Sequence, residues 1–74
     1  MVLDKVKEML ADRLGLSVDE ITEDSKFSDL GLDSLDMAEM LMDAADEFGV
    51  ALEADASMNT VGALVKKVEA LQNA

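Results

Sequence analysis

The residue with the clearest chemical potential is Ser34, set in the string Leu30-Gly31-Leu32-Asp33-Ser34-Leu35-Asp36. A serine hydroxyl attacks a substrate only when a base within hydrogen-bond reach takes its proton. This chain has no His, Cys, Tyr or Trp. The usual general base and the usual strong nucleophile are therefore both missing. Only carboxylates and lysines could serve, and a His/Cys metal site is ruled out. The sequence thus argues against an enzyme and assigns no catalytic or metal-ligating residue. The same hydroxyl could instead receive a group placed on it by another protein. Ser34 stands where a helical pattern begins, and either it or Asp33 suits the N-cap. A helix N-terminus offers unpaired amide hydrogens and a positive dipole end, and both would stabilise an attached phosphodiester. Asp33 and Asp36 would disfavour a bare anion there, but could help hold Mg²⁺ during a phosphotransfer catalysed elsewhere.

The elements that must position this serine are helical. From Val2 to Leu14, the residues Val2, Leu3, Val6, Met9, Leu10 and Leu14 share one side at helical spacing, while Asp4, Lys7, Glu8, Ala11 and Asp12 fall on the other. Gly15 follows and suits a left-handed stop. Residues 16 to 33 form a long connection. In it, Ser17 and Glu20 have capping-box spacing, so a short turn is expected. Leu16, Ile21, Phe27, Leu30 and Leu32 read as anchors that pin this loop to a core. A second helix is expected from Ser34 to Phe48, stopped by Gly49. A third runs from Val61 to Leu71 with Asn59 or Thr60 as its cap. Ala54 to Asn59 is expected to form one short extra turn capped by Asp55, although Val50 to Leu52 could equally be extended. The fold class is therefore all-α: a small four-helix bundle of three longer helices plus one short helix, with a long first loop, in a single domain over residues 1–74.

On a wheel with Ser34 at the origin, Asp36, Glu39, Asp43, Asp46 and Glu47 share an arc of roughly 100°. Met37, Leu41, Ala44 and Phe48 gather on one side of it, and Leu35, Ala38 and Met42 on the other. The apolar arc spans about 220°, twice the ~100° stripe of an ordinary surface helix. Either the helix is buried on most of its circumference, or one flank is core and the other a docking strip. A chain of 74 residues covers only about 60% of its unfolded surface, which favours docking.

Charge bears on the partner. Seventeen acids face six bases, a net charge of −11. Phosphate backbones would be repelled, so nucleic acid is not expected as a partner. Basic protein surfaces would be attracted. No Lys or Arg occurs between Lys26 and Lys66. No D-x-D-x-D-G loop supports a calcium-binding reading. No apolar run is long enough to span a membrane, no signal peptide is visible, and the lack of cysteine fits a reducing compartment.

Asp33-Ser34-Leu35, preceded by Leu30-Gly31 and followed by an acidic helix ending at Glu47-Phe48, resembles the acyl carrier protein family of type II fatty acid synthesis. The resemblance extends over nearly the whole chain, from the opening helix through the Phe27–Leu30 anchor to Thr60-Val61. It implies a cytoplasmic, monomeric carrier. A phosphopantetheinyl transferase would place 4′-phosphopantetheine from coenzyme A on Ser34, and the arm's thiol would carry acyl groups as thioesters. It implies that Leu35, Ala38 and Met42 face fatty acid synthesis enzymes, with Asp33, Asp36, Glu39, Asp43 and Glu47 near their basic docking patches. It also implies an acyl cavity in the bundle, with Met37, Met40, Leu41, Ala44, Phe48, Leu64 and Val68 as candidate walls. Carriers of polyketide, D-alanyl or peptidyl intermediates are the near alternatives, and an unmodified acidic helical adaptor the distant one. The chain departs from the family pattern at Phe48-Gly49-Val50, where an Ile-Pro pair usually follows the phenylalanine.

Overall fold

The computed structural model describes residues 1–53 and 58–73. Among these residues three helices form, α1 (Val2–Leu14), α2 (Ser34–Phe48) and α3 (Val61–Gln72), with a single 3₁₀ turn at Val18–Glu20. The architecture is all-α. The short helix expected over Ala54–Asn59 rests largely on residues 54–57, outside the described residues. Met58 and Asn59 themselves are not helical, and Val50 to Leu52 is irregular.

Local chemistry sets most boundaries. Gly15 and Gly49 take left-handed conformations, with φ of 70° and 65°, and their amides return to the carbonyls of Ala11 and Ala45. That geometry costs a residue without Cβ nothing and ends each helix where the apolar pattern ends. Ser17 and Glu20 form the expected capping box around the 3₁₀ turn. Thr60, rather than Asn59, caps α3 by accepting the Ala63 amide at 3.2 Å. α3 runs one residue further than the apolar pattern indicates.

Val6 and Leu10 from α1, Met40, Leu41 and Ala44 from α2, and Val61, Leu64, Val65 and Val68 from α3 make the core. Full burial of a side chain such as Leu10, Met40 or Leu64 contributes about 1.5–3 kcal/mol. Ala11 joins this core at 7% exposed, a correction to its placement on the polar side of α1. It lies at the edge of the stripe, where a single methyl is easily covered.

The long loop is built in rather than draped. Ile21, Phe27 and Leu32 are buried, and Leu30 is half-buried. Leu16 departs from expectation. The chain turns at Gly15 and leaves it 36% exposed. Backbone hydrogen bonds lace the loop to the start of α3: Phe27 N–H to Asn59 O at 3.0 Å, Val61 N–H to Ser25 O at 3.0 Å and Gly62 N–H to Glu23 O at 2.8 Å. The last two use amides that a helix start leaves without internal partners. The loop thus arrives at α2 with its end fixed.

Candidate functional site

Asp33 is the N-cap of α2. Its Oδ1 accepts the Asp36 amide at 2.9 Å, and the Asp36 carboxylate accepts the Asp33 amide at 3.4 Å. This reciprocal box settles which of the two neighbours caps the helix. Ser34 is therefore the first helical residue, exposed to solvent, and its hydroxyl is not the cap.

Ser34 lies on the rim of a groove of about 610 Å³ between the long loop, α2 and the residues leading into α3. Phe27 and Leu32 come from the loop, Met37 and Leu41 from α2, and Met58 and Asn59 from the approach to α3. Ser28, Asp33 and Ala38 complete the edge. The lining is mainly apolar, with polar groups at the mouth. Of the residues named as candidate walls, Met37 and Leu41 reach this groove. Met40, Ala44, Leu64 and Val68 are buried in the core, and Phe48 packs at its edge. The loop and α3-side walls, Phe27, Leu32, Met58 and Asn59, were not singled out as groove residues in sequence. The loop's apolar spacing marks Phe27 and Leu32 as buried, but nothing local says what they are buried beside.

The two flanks of α2 differ. Met40, Leu41 and Ala44 face inward, while Leu35 and Met42 are 69% and 71% exposed and Ala38 is also exposed. The wide apolar arc is thus a core flank plus an uncovered strip beginning at Ser34. Single exposed apolar residues are ordinary. Here two large ones and an alanine share one face beside the Ser34 hydroxyl.

The acids alongside do not all stand alone. Arg13, at the end of α1, reaches both Glu39, at 3.1 Å, and Asp43. Lys5 pairs with Glu47 at 3.0 Å. Hydrogen bonds to Asp43 and Glu39 raise the Arg13 pKa further, and a hydrogen bond to Glu47 raises that of Lys5. These bases were missed as site residues. A signal was present: α2 has no base of its own, so its acids can be answered only from other elements. Among the described residues, no cation pairs with Asp36 or Asp46, and no group of His, Cys, Asp and Glu is arranged to hold a metal ion.

An exposed serine thus opens α2, with an apolar groove at its side and an exposed apolar strip running from it. A sequence model of the family described as phosphopantetheine attachment site matches residues 4–68, and the chain belongs to that family. Its prosthetic group is covalently bound 4′-phosphopantetheine. The site suits such a group: a hydroxyl not used in capping, helix amides nearby, and an apolar trough for what hangs from it. Among the described residues, no helix is long and apolar enough to cross a membrane.

Proposed function

We propose that Ser34 is the attachment residue and that the chain is an acyl carrier protein delivering fatty acyl thioesters to synthesis enzymes. The observation that carries this reading is the exposed Ser34 on the rim of the apolar groove, in a chain of the phosphopantetheine family. The arm supplies a terminal thiol that holds cargo as a thioester, the sulfur chemistry this cysteine-free chain lacks. Ser34 provides the tether. Asp33 and Asp36 hold the helix start in place and lend negative charge for the Mg²⁺ used by a phosphopantetheinyl transferase.

The groove supports a fatty acyl cargo over a D-alanyl or peptidyl one. Phe27, Leu32, Met37, Leu41 and Met58 offer little to a polar cargo. Each methylene buried among them gains about 0.8 kcal/mol. Methionines suit chains of varying length, since Met repacks readily. Leu35, Ala38 and Met42 form the dry centre of the docking contact, with Asp36, Glu39, Asp43 and Glu47 around it to meet basic enzyme surfaces. The carrier acts as a cytoplasmic monomer, meeting one enzyme at a time.

Incubation with coenzyme A, Mg²⁺ and a phosphopantetheinyl transferase should add one phosphopantetheine by intact mass. Ser34→Ala should remain folded and gain nothing. A wild-type chain that stays unmodified would leave only an acidic adaptor. Native mass spectrometry of the cargo after cellular expression distinguishes fatty acyl from polyketide, D-alanyl or peptidyl groups.

A further inference from the structure

Glu39 and Asp43 lie four residues apart on one face of α2, where two like charges repel. The Arg13 guanidinium sits between them, one nitrogen on each carboxylate. A forked cation suits this arrangement, since it satisfies two acceptors at once. The Arg13 side chain is 28% exposed, whereas the two acids remain 54% and 58% exposed. All three groups can therefore be reached by an incoming protein, and the pairs are of the weak, solvent-exposed kind. Residues next to these acids, Ala38 and Met42, belong to the exposed apolar strip.

We propose that Arg13 is an intramolecular stand-in for a partner's basic residue, covering Glu39 and Asp43 in the free carrier and yielding them when a basic protein surface docks on α2. This rests on the carrier reading above and adds a specificity device to it. The occupant follows from charge complementarity: an acidic helix with an apolar strip calls for a partner with basic groups around an apolar contact. The cost of displacement is small because exposed pairs are weak. Its effect is selective. A single stray cation gains little from acids already answered, whereas a surface carrying several cations plus an apolar contact displaces Arg13 and gains both carboxylates. Asp36, which no cation pairs among the described residues, stays available for first encounter near Ser34.

The test compares apo wild type with Arg13→Gln, which keeps length and stem while removing charge. Binding to a phosphopantetheinyl transferase is measured by stopped-flow or surface plasmon resonance over a range of NaCl. Arg13→Gln should bind about two- to five-fold tighter at low salt, with the gain shrinking as salt rises. Glu39→Gln should weaken binding more in the Arg13→Gln background than in wild type. Equal or weaker binding by a folded Arg13→Gln, with no such coupling, would overturn the proposal. Should that variant unfold, NMR on wild type decides. The Arg13 Nε–H resonance should move on partner binding toward its position in Glu39→Gln/Asp43→Asn, and an unmoved resonance would overturn it. A wild-type chain that neither binds the transferase nor is modified would instead bring down the carrier reading, and the masking with it.

Discussion

Asp33 accepts a hydrogen bond from the Asp36 amide at 2.9 Å, and in doing so leaves its neighbour Ser34 with no capping duty. The side chain proposed as the attachment point is thereby separate from the one that holds the helix start. Stability should divide accordingly. Asp33→Ala should lose about 1 kcal/mol, a fall of roughly 4–8 °C in Tm for a domain of this size. Asp33→Asn should keep most of it. Asp36→Ala should lose clearly less, because its return bond is 3.4 Å long. Ser34→Ala should stay within about 0.5 kcal/mol of wild type. Thermal melts of the four variants check the order, and a Ser34→Ala loss matching that of Asp33→Ala would contradict it.

Phe27 is 3% exposed and forms part of both the core and the groove. Removing a buried phenylalanine costs about 3–5 kcal/mol. A chain this small has only a few kcal/mol of total stability. Phe27→Ala is therefore expected to be largely unfolded at 37 °C, as read by far-ultraviolet circular dichroism. Phe27→Leu should fold, with a lower Tm. A Phe27→Ala chain melting like wild type would mean the loop is not pinned.

A Cβ added at Gly62 would lie 3.1 Å from the Glu23 carbonyl oxygen, which already accepts the Gly62 amide at 2.8 Å. The oxygen cannot retreat without weakening that bond. Alanine ordinarily gains up to about 1 kcal/mol over glycine inside a helix. Here the gain should be lost to the contact, and Gly62→Ala should lower the Tm. A rise would show that the loop yields.

Hydrogen bonding and charge from Glu47 hold the Lys5 ammonium above its ordinary pKa of 10.5. A base raised on folding stabilises fully below its unfolded pKa and loses that contribution as pH rises through the folded value. Lys5→Met should therefore melt slightly below wild type at about pH 8, and the gap should begin to close only above pH 10.5. A gap independent of pH would assign the effect to packing of the lysine stem.

With a net charge of −11, self-repulsion should also be measurable. Added NaCl or Mg²⁺ should raise the Tm of wild type. A melting curve indifferent to both would count against charge as the main weakness of the fold.

Sequence alone determined what depends on neighbours along the chain. Most helix starts and stops, the capping box at Ser17 and the two apolar flanks of α2 follow from hydrogen bonds and side-chain directions that repeat within four residues. Family membership was legible for the same reason, because the Asp33-Ser34-Leu35 motif is contiguous. Tertiary structure decided what depends on how elements meet. Arg13 finds Glu39 and Asp43 only because α1 and α2 lie side by side with opposite directions, so that Lys5 meets Glu47 at the other end. The groove beside Ser34 exists only because the loop is laced to the start of α3, bringing Phe27 to Asn59. Helical periodicity specifies which face of an element is apolar, but not the distance or register at which another element will cover it.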